Sequence, residues 1–120
     1  MTFLIRTIDF TASGREIIRD RTAEQKTLSI GRASENDIHL PDLAVEQNHA
    51  TIRQSETGSL IVEAAGTMGF IHDGHKTSAA TIDPSTGGEL GFGAYRLQIA
   101  QDGDGPPAIT ISQVEAAPEA

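Results

Sequence analysis

The sequence predicts an all-β domain, a sandwich or a barrel, and three observations carry that expectation. Short apolar runs recur about every eight to twelve residues, with Gly, Asp, Asn, Ser and Pro between them. Many of these runs alternate or are rich in β-branched residues, as in TFLIRTIDF and ATIRQ. A helical period is almost absent, surviving only as an option around RTAEQK, residues 21–26.

Taken in order, TFLIRTIDF places Phe3, Ile5 and Thr7 on one face and Leu4, Arg6 and Ile8 on the other. REIIRDR follows the turn TASG. Then come TLSIG, DIHL, HATIRQ, SLIVEA, FIHDG, GELGFG and AYRLQIA. SETGS, residues 55–59, reads as a tight hairpin between HATIRQ and SLIVEA. After residue 101, QDGDGPP breaks any strand, because Pro cannot donate to a ladder. AITISQV alternates Ile109 and Ile111 before Val114, so residues 107–114 are expected to hold one last strand. The division expected is a sandwich over 1–101 and a Gly/Pro-containing extension over 102–120. EAAPEA at its end has a linker's composition, as where a domain joins further chain.

The bulk numbers narrow the function. A chain of 120 residues and 12.7 kDa, 38% hydrophobic and 22% charged, suffices for one globular core. With no cysteine there is neither a disulfide framework nor a thiolate metal site, and a reducing, cytoplasmic setting is expected. MTFLIRTIDF has too short an apolar run for a signal peptide, and no stretch approaches the roughly 20 apolar residues that span a bilayer. The formal net charge of −8 argues against nucleic acid, whose binding needs Lys and Arg to displace counterions. It suits solubility, and among partners a basic protein or peptide.

The block LSIGRASENDIHLPDLAVEQNHATI, residues 28–52, is the most specific stretch. Gly31-Arg32 ends one strand, Asn36-Asp37-Ile38-x-Leu40 opens another, and Val45-x-x-x-His49-Ala50-x-Ile52 leads into a third. The order and spacing resemble the forkhead-associated (FHA) domain, whose signature is Gly-Arg, Asn-Asp-Ile-x-Leu and Val-Ser-Arg-x-His-Ala-x-Ile. Downstream, GTMGFIHDG at 66–74 lies over the family's Ser-x-Asn-Gly-x-x-Val-Asn-Gly run, matching at Gly69 and Asp73-Gly74. GGELGFG at 87–93 resembles its late glycine turn, so the likeness covers about residues 3–100. It implies an FHA-like sandwich, of the SMAD/FHA type, of about eleven strands. It also implies that loops at one end bind phosphothreonine peptides.

A phosphate carries nearly two charges and three acceptor oxygens, so a loop site must converge a cation, a hydroxyl and backbone donors on it. Arg32 matches the family's cation. The hydroxyl position is Glu46, the second basic position is Gln47, and the Asn that grips the peptide backbone is Met68. Glu35, Asp37 and Asp42 add acids to the same loops. The resemblance therefore points to a degenerate phosphopeptide surface formed by Arg32, Glu46, Gln47, Asn48, Thr67 and Met68. Gly31, His49 and Gly69 are expected to be structural, with His49 tying loops by hydrogen bonds. Arg32 either pairs with Glu46, the carboxylate standing in for a phosphate, or both are solvated charges. Phe70 is expected in the core, and an exposed Met68 would give the loop tips an apolar surface suited to protein contacts.

Other signals are weaker. HDGH offers His72, Asp73 and His75, but residues three apart in a hairpin are expected to face opposite ways unless the turn brings them back. No third convergent ligand is evident, and a tight Asp-Gly turn explains the residues, so no metal site is assigned. DGDG at 102–105 lacks the acidic ligand that completes a calcium loop. No nucleophile–base pair or phosphate-cradling loop is evident, so neither catalysis nor a cofactor is expected. The reading is a non-catalytic interaction module, phospho-independent or weakened in phosphothreonine recognition. The alternatives are a working phosphothreonine reader using Arg32, Asn48 and Thr67, and, further off, a metal-dependent enzyme.

Overall fold

The computed structural model describes residues 2–101, 103 and 105–113. Two sheets face each other, and no helix occurs among the described residues. The strands are β1 (Thr2–Phe10), β2 (Glu16–Glu24), β3 (Thr27–Gly31), β4 (Ile38–His39), β5 (Ala50–Gln54) and β6 (Leu60–Ala64). They continue with β7 (Phe70–His72), β8 (His75–Thr77), β9 (Ala79–Ile82), β10 (Gly88–Phe92), β11 (Tyr95–Ala100) and β12 (Ala108–Gln113). One sheet has seven strands in the order β2-β1-β12-β11-β10-β7-β8, and the other has five in the order β4-β3-β5-β6-β9. Both are mixed, because β1 runs parallel to β12 and β3 parallel to β4.

Alternation places the core. Phe3 and Ile5 are fully buried while Arg6 is exposed, as the β1 pattern requires. Leu28 and Ile30 from β3, Ile52 from β5, and Leu60 and Val62 from β6 form the facing layer. Leu90, Phe92, Leu97, Ile99, Ile109 and Ile111 complete the seven-stranded side. The Ser55–Ser59 hairpin closes as expected, with the Ser55 N–H donating to the Ser59 carbonyl at 2.8 Å.

Four strands differ in part from expectation. Residues 21–24 continue β2 rather than starting a helix, because all nine β2 residues pair with β1. Only Ala23 of β2 is buried, since the strand is an edge, and this erased the alternation that marks a strand. Strands β8 and β9 gave no clear sequence signal; each is short, largely exposed and at a sheet edge, and Ser78 between them carries the chain from one sheet to the other. With them the described residues hold twelve strands, in keeping with the expected sandwich of about eleven. The strand expected within 107–114 is present as β12, but it is interior, hydrogen-bonded to β11 on one side and β1 on the other. The seven-stranded sheet thus extends past residue 101. The tail after Gln113 lies outside the described residues, as do Asp102 and Asp104 of DGDG.

Candidate functional site

The β3–β4, β4–β5, β6–β7 and β10–β11 connections are tied together by backbone and side-chain bonds. Gly31 ends β3, and a Cβ there would collide with the Gln47 carbonyl and lie 2.7 Å from Asn36 Nδ2. Only glycine lets the β4–β5 loop pass this closely. The loop then pairs with the chain after β3: Arg32 N–H donates to the Glu46 carbonyl at 2.9 Å and Ala33 N–H to that of Gln47 at 3.3 Å. Asn36 Nδ2 donates to the carbonyls of Ala33 at 2.9 Å and Gln47 at 2.7 Å, binding the two loops side by side.

His49 is the hub. Its ring is 2% exposed and stands edge-on to Phe92, with centroids 5.1 Å apart. The Glu46 N–H donates to Nδ1 at 3.0 Å, which leaves the ring proton on Nε2, 2.5 Å from the Gly69 carbonyl that accepts it. One imidazole thus joins the β4–β5 loop to the β6–β7 loop. Gly69 itself has φ +66, and a Cβ there would lie 2.7 Å from the Thr77 carbonyl.

The Glu46 carboxylate does not pair with Arg32. Its Oε1 accepts the Met68 N–H at 2.9 Å, and the rest of the group lies directly against Gly66, where a Cβ would push the carboxylate aside. Arg32 turns elsewhere and donates from Nε to the Val45 carbonyl at 3.1 Å. Of the two alternatives left open, the Arg32–Glu46 ion pair is absent, and Glu46 is not simply a solvated charge either: the β6–β7 loop presents it with an amide donor and it makes a carboxylate–backbone bond. Gln47, Asn48, Thr67 and Met68 are exposed around this point, Met68 by 45%. The structure thus brings Glu46 and Met68 into contact and ties the Arg32 guanidinium to the Val45 carbonyl instead.

Two residues with loop-building roles carried no site signal of their own. Gly66 makes room for Glu46. Asp42 accepts from the N–H groups of Ala44 at 3.0 Å and Ala94 at 2.6 Å, joining the β4–β5 loop to the β10–β11 turn. Those two backbone donors hold its carboxyl below the usual aspartate range, against a smaller opposing effect of burial. An Asp two residues before the donor it caps is a recognisable Asx signal; the long-range bond to Ala94 is not. Beside the loops lies a mainly apolar depression of about 260 Å³, lined by Ala44, Met68, Gly69, Phe70 and Ile71 among others. Phe70 packs in the core at 2% exposure, stacked on Phe92.

The β7–β8 hairpin corrects one expectation. Asp73 and Gly74 have φ of 49 and 84, the two positive values of a type I′ turn. This sets His72 directly opposite His75, so the imidazoles share a face rather than diverge. In a two-residue turn the flanking residues are cross-strand partners, and simple alternation along one strand does not apply to them.

The comparisons with known proteins agree with this architecture. Among solved structures, the FHA domain of the CT664 protein from Chlamydia trachomatis superposes with a TM-score of 0.60 at 20% identity, covering 82% of this chain and 97% of that one. An FHA domain from a study of phosphothreonine-dependent FHA interactions gives 0.59 at 19% identity, covering 84% and 95%. The FhaA FHA domain complexed with the intracellular domain of Rv3910 gives 0.53 at 22%, covering 77% and 90%. At these identities the likeness shows a shared fold. No curated protein matches the chain. The family model for the FHA domain matches residues 28–93, a span that holds the β3–β4, β4–β5 and β6–β7 loops, and on that match the chain belongs to the FHA domain family.

Proposed function

We propose that this domain is a non-catalytic protein-interaction module whose loop end binds a protein or peptide with little or no dependence on phosphate. The single observation that carries the reading is the Glu46 carboxylate, already bonded to the Met68 N–H and seated against Gly66. It is an anion standing where, in the family's pattern, a hydroxyl would meet the ligand. A phosphate about 4 Å from it would be repelled by roughly 4 kcal/mol per unit charge at an effective dielectric near 20. Each missing charge-assisted hydrogen bond, from Gln47 in place of a cation and Glu46 in place of a hydroxyl, removes about 1.5–3 kcal/mol more. Either loss is enough to move a micromolar ligand toward millimolar.

What remains at this end suits an unphosphorylated surface. Leu43 is 91% exposed, Met68 45% and Ile71 41%, and Met68 and Ile71 border the apolar depression. Scattered exposed apolar residues are ordinary, but among the described residues three of the four large ones fall near one end. The partner is therefore read as protein rather than nucleic acid, in keeping with the net charge of −8, and the lack of cysteine fits a cytoplasmic setting. The FhaA domain complexed with the intracellular domain of Rv3910 supplies a precedent for a protein partner.

A second reading, phosphothreonine recognition through Arg32, Asn48 and Thr67, is favoured by one feature: Arg32 commits only Nε to the Val45 carbonyl, leaving its terminal nitrogens for a ligand. Calorimetric titration with a phosphothreonine peptide library and its unphosphorylated twin separates the two. The expected outcome is a difference of no more than a few-fold. A low-micromolar, phosphate-dependent affinity that Arg32→Ala abolishes would establish the second reading instead.

A further inference from the structure

The β7–β8 hairpin gathers three metal-type donors that the loop site does not use. His72 and His75 are opposed partners across the Asp73-Gly74 turn, and opposed residues stand on one face with Cβ atoms about 4.5–5.5 Å apart. His72 is half-buried at the sheet margin, opposite Leu90 of β10, while His75 is exposed on the edge strand β8. Independently of that pairing, His72 Nε2 lies 3.3 Å from Asp73 Oδ2. Two ligands of one tetrahedral zinc ion, each about 2.0–2.1 Å from it, are separated by about 3.3–3.4 Å. His72 and Asp73 thus already stand at the spacing of neighbouring ligands. Among the described residues no three such side chains yet surround one point. His75, exposed and opposite His72 on the same face of the hairpin, is the third donor the turn supplies.

We propose that His72, Asp73 and His75 form a site for a divalent transition-metal cation, with water completing the coordination. Imidazole with one carboxylate selects zinc, copper(II) or nickel(II) over calcium and magnesium, which demand oxygen donors. A bound ion would fasten β8, the outermost strand of its sheet, to β7, which begins immediately after the Met68-Gly69 loop. Because a metal-bound imidazole must give up its second proton, binding weakens in acid.

The test is calorimetry of zinc alone against the intact domain at neutral pH, paired with sedimentation. The expected result is one ion per monomer. His75→Ala and Asp73→Asn should each weaken binding by about tenfold or more, the loss expected when one ligand of three is removed or neutralised. Asparagine is chosen at 73 because it tolerates the positive φ of that turn. His39→Ala, on β4 at the far edge of the other sheet, should leave the affinity unchanged and serves as the control. Three results would overturn the proposal: no zinc binding, binding indifferent to both hairpin variants while they remain folded, or one ion per two chains with zinc-dependent dimers. The last would make the ion a bridge between copies.

Discussion

His49 and Glu46 show how single side chains set the loop geometry. The buried His49 ring, packed on Phe92, satisfies two part-buried backbone groups at once, the Glu46 N–H and the Gly69 carbonyl. His49→Ala would leave both unpaired, and an unsatisfied buried polar group costs about 1–3 kcal/mol. Urea denaturation should therefore show a clearly lower midpoint, with binding lost only through the loss of fold. An unchanged midpoint with abolished partner binding would instead make His49 a ligand contact. Asp42 gives a pH dependence. Its carboxyl is held below its ordinary value by the Ala44 and Ala94 N–H groups, so its contribution is present above the unfolded value of about pH 4. That contribution disappears as pH falls through the lower folded value. Melting temperatures measured between pH 7 and pH 2 should fall steeply at the acid end, and Asp42→Asn should flatten part of that fall. At this scale the sequence was legible where a residue type answers a backbone need, as Gly31 and His49 do. It was not legible for Glu46, because the partner that captures it, the Met68 N–H, belongs to the backbone and has no signature in side-chain identities.

Among the elements, β12 and β2 are instructive opposites. β12 was readable as a strand from the alternation of Ile109 and Ile111, yet its neighbours were not, since nothing local indicates that residue 109 lies beside residue 5 in a parallel pair. β2 had the reverse problem: its position next to β1 follows from a short turn, but an exposed edge strand carries little apolar pattern to announce it. The strands β8 and β9 were missed for the same reason, both being edges. Burial makes a test of β12 direct. Ile109 is fully buried between β1 and β11, so Ile109→Ala should cost about 2–5 kcal/mol, the usual range for truncating a core isoleucine. Thr110→Ala, next along the same strand but on the other face and only half-buried, should cost much less. Equal effects in chemical denaturation would mean that β12 is peripheral to the fold rather than part of it.

For the whole molecule, the proposed phosphate-independent reading raises the question of whether the sandwich presents a frame on which phosphate recognition could be built. The side chains that depart from the family's pattern, at Glu46, Gln47 and Met68, sit on loops whose backbone is held by other residues: Gly31, Asn36, Asp42 and His49. Gln47 contributes its carbonyl to that frame while its side chain is exposed, and Met68 likewise contributes its N–H. The triple variant Glu46→Ser, Gln47→Arg, Met68→Asn should therefore fold, and it should gain phosphothreonine binding. Glu46→Ser is expected to matter most, because it removes a repelling anion, supplies a hydroxyl and frees the Met68-position N–H in one step. Since Glu46 and residue 68 touch in this structure, the gains should couple rather than add. The substitutions at 46 and 47 also make the loop end less acidic, so the new affinity should shrink as salt rises, as partly exposed charge pairs do. Calorimetry of the triple and single variants against a phosphothreonine peptide library, at two ionic strengths, measures each of these expectations. A triple variant that is folded yet blind to phosphate would locate the loss in the path of the loop backbone, with the Arg32 guanidinium held against the Val45 carbonyl and out of reach of the rebuilt pocket.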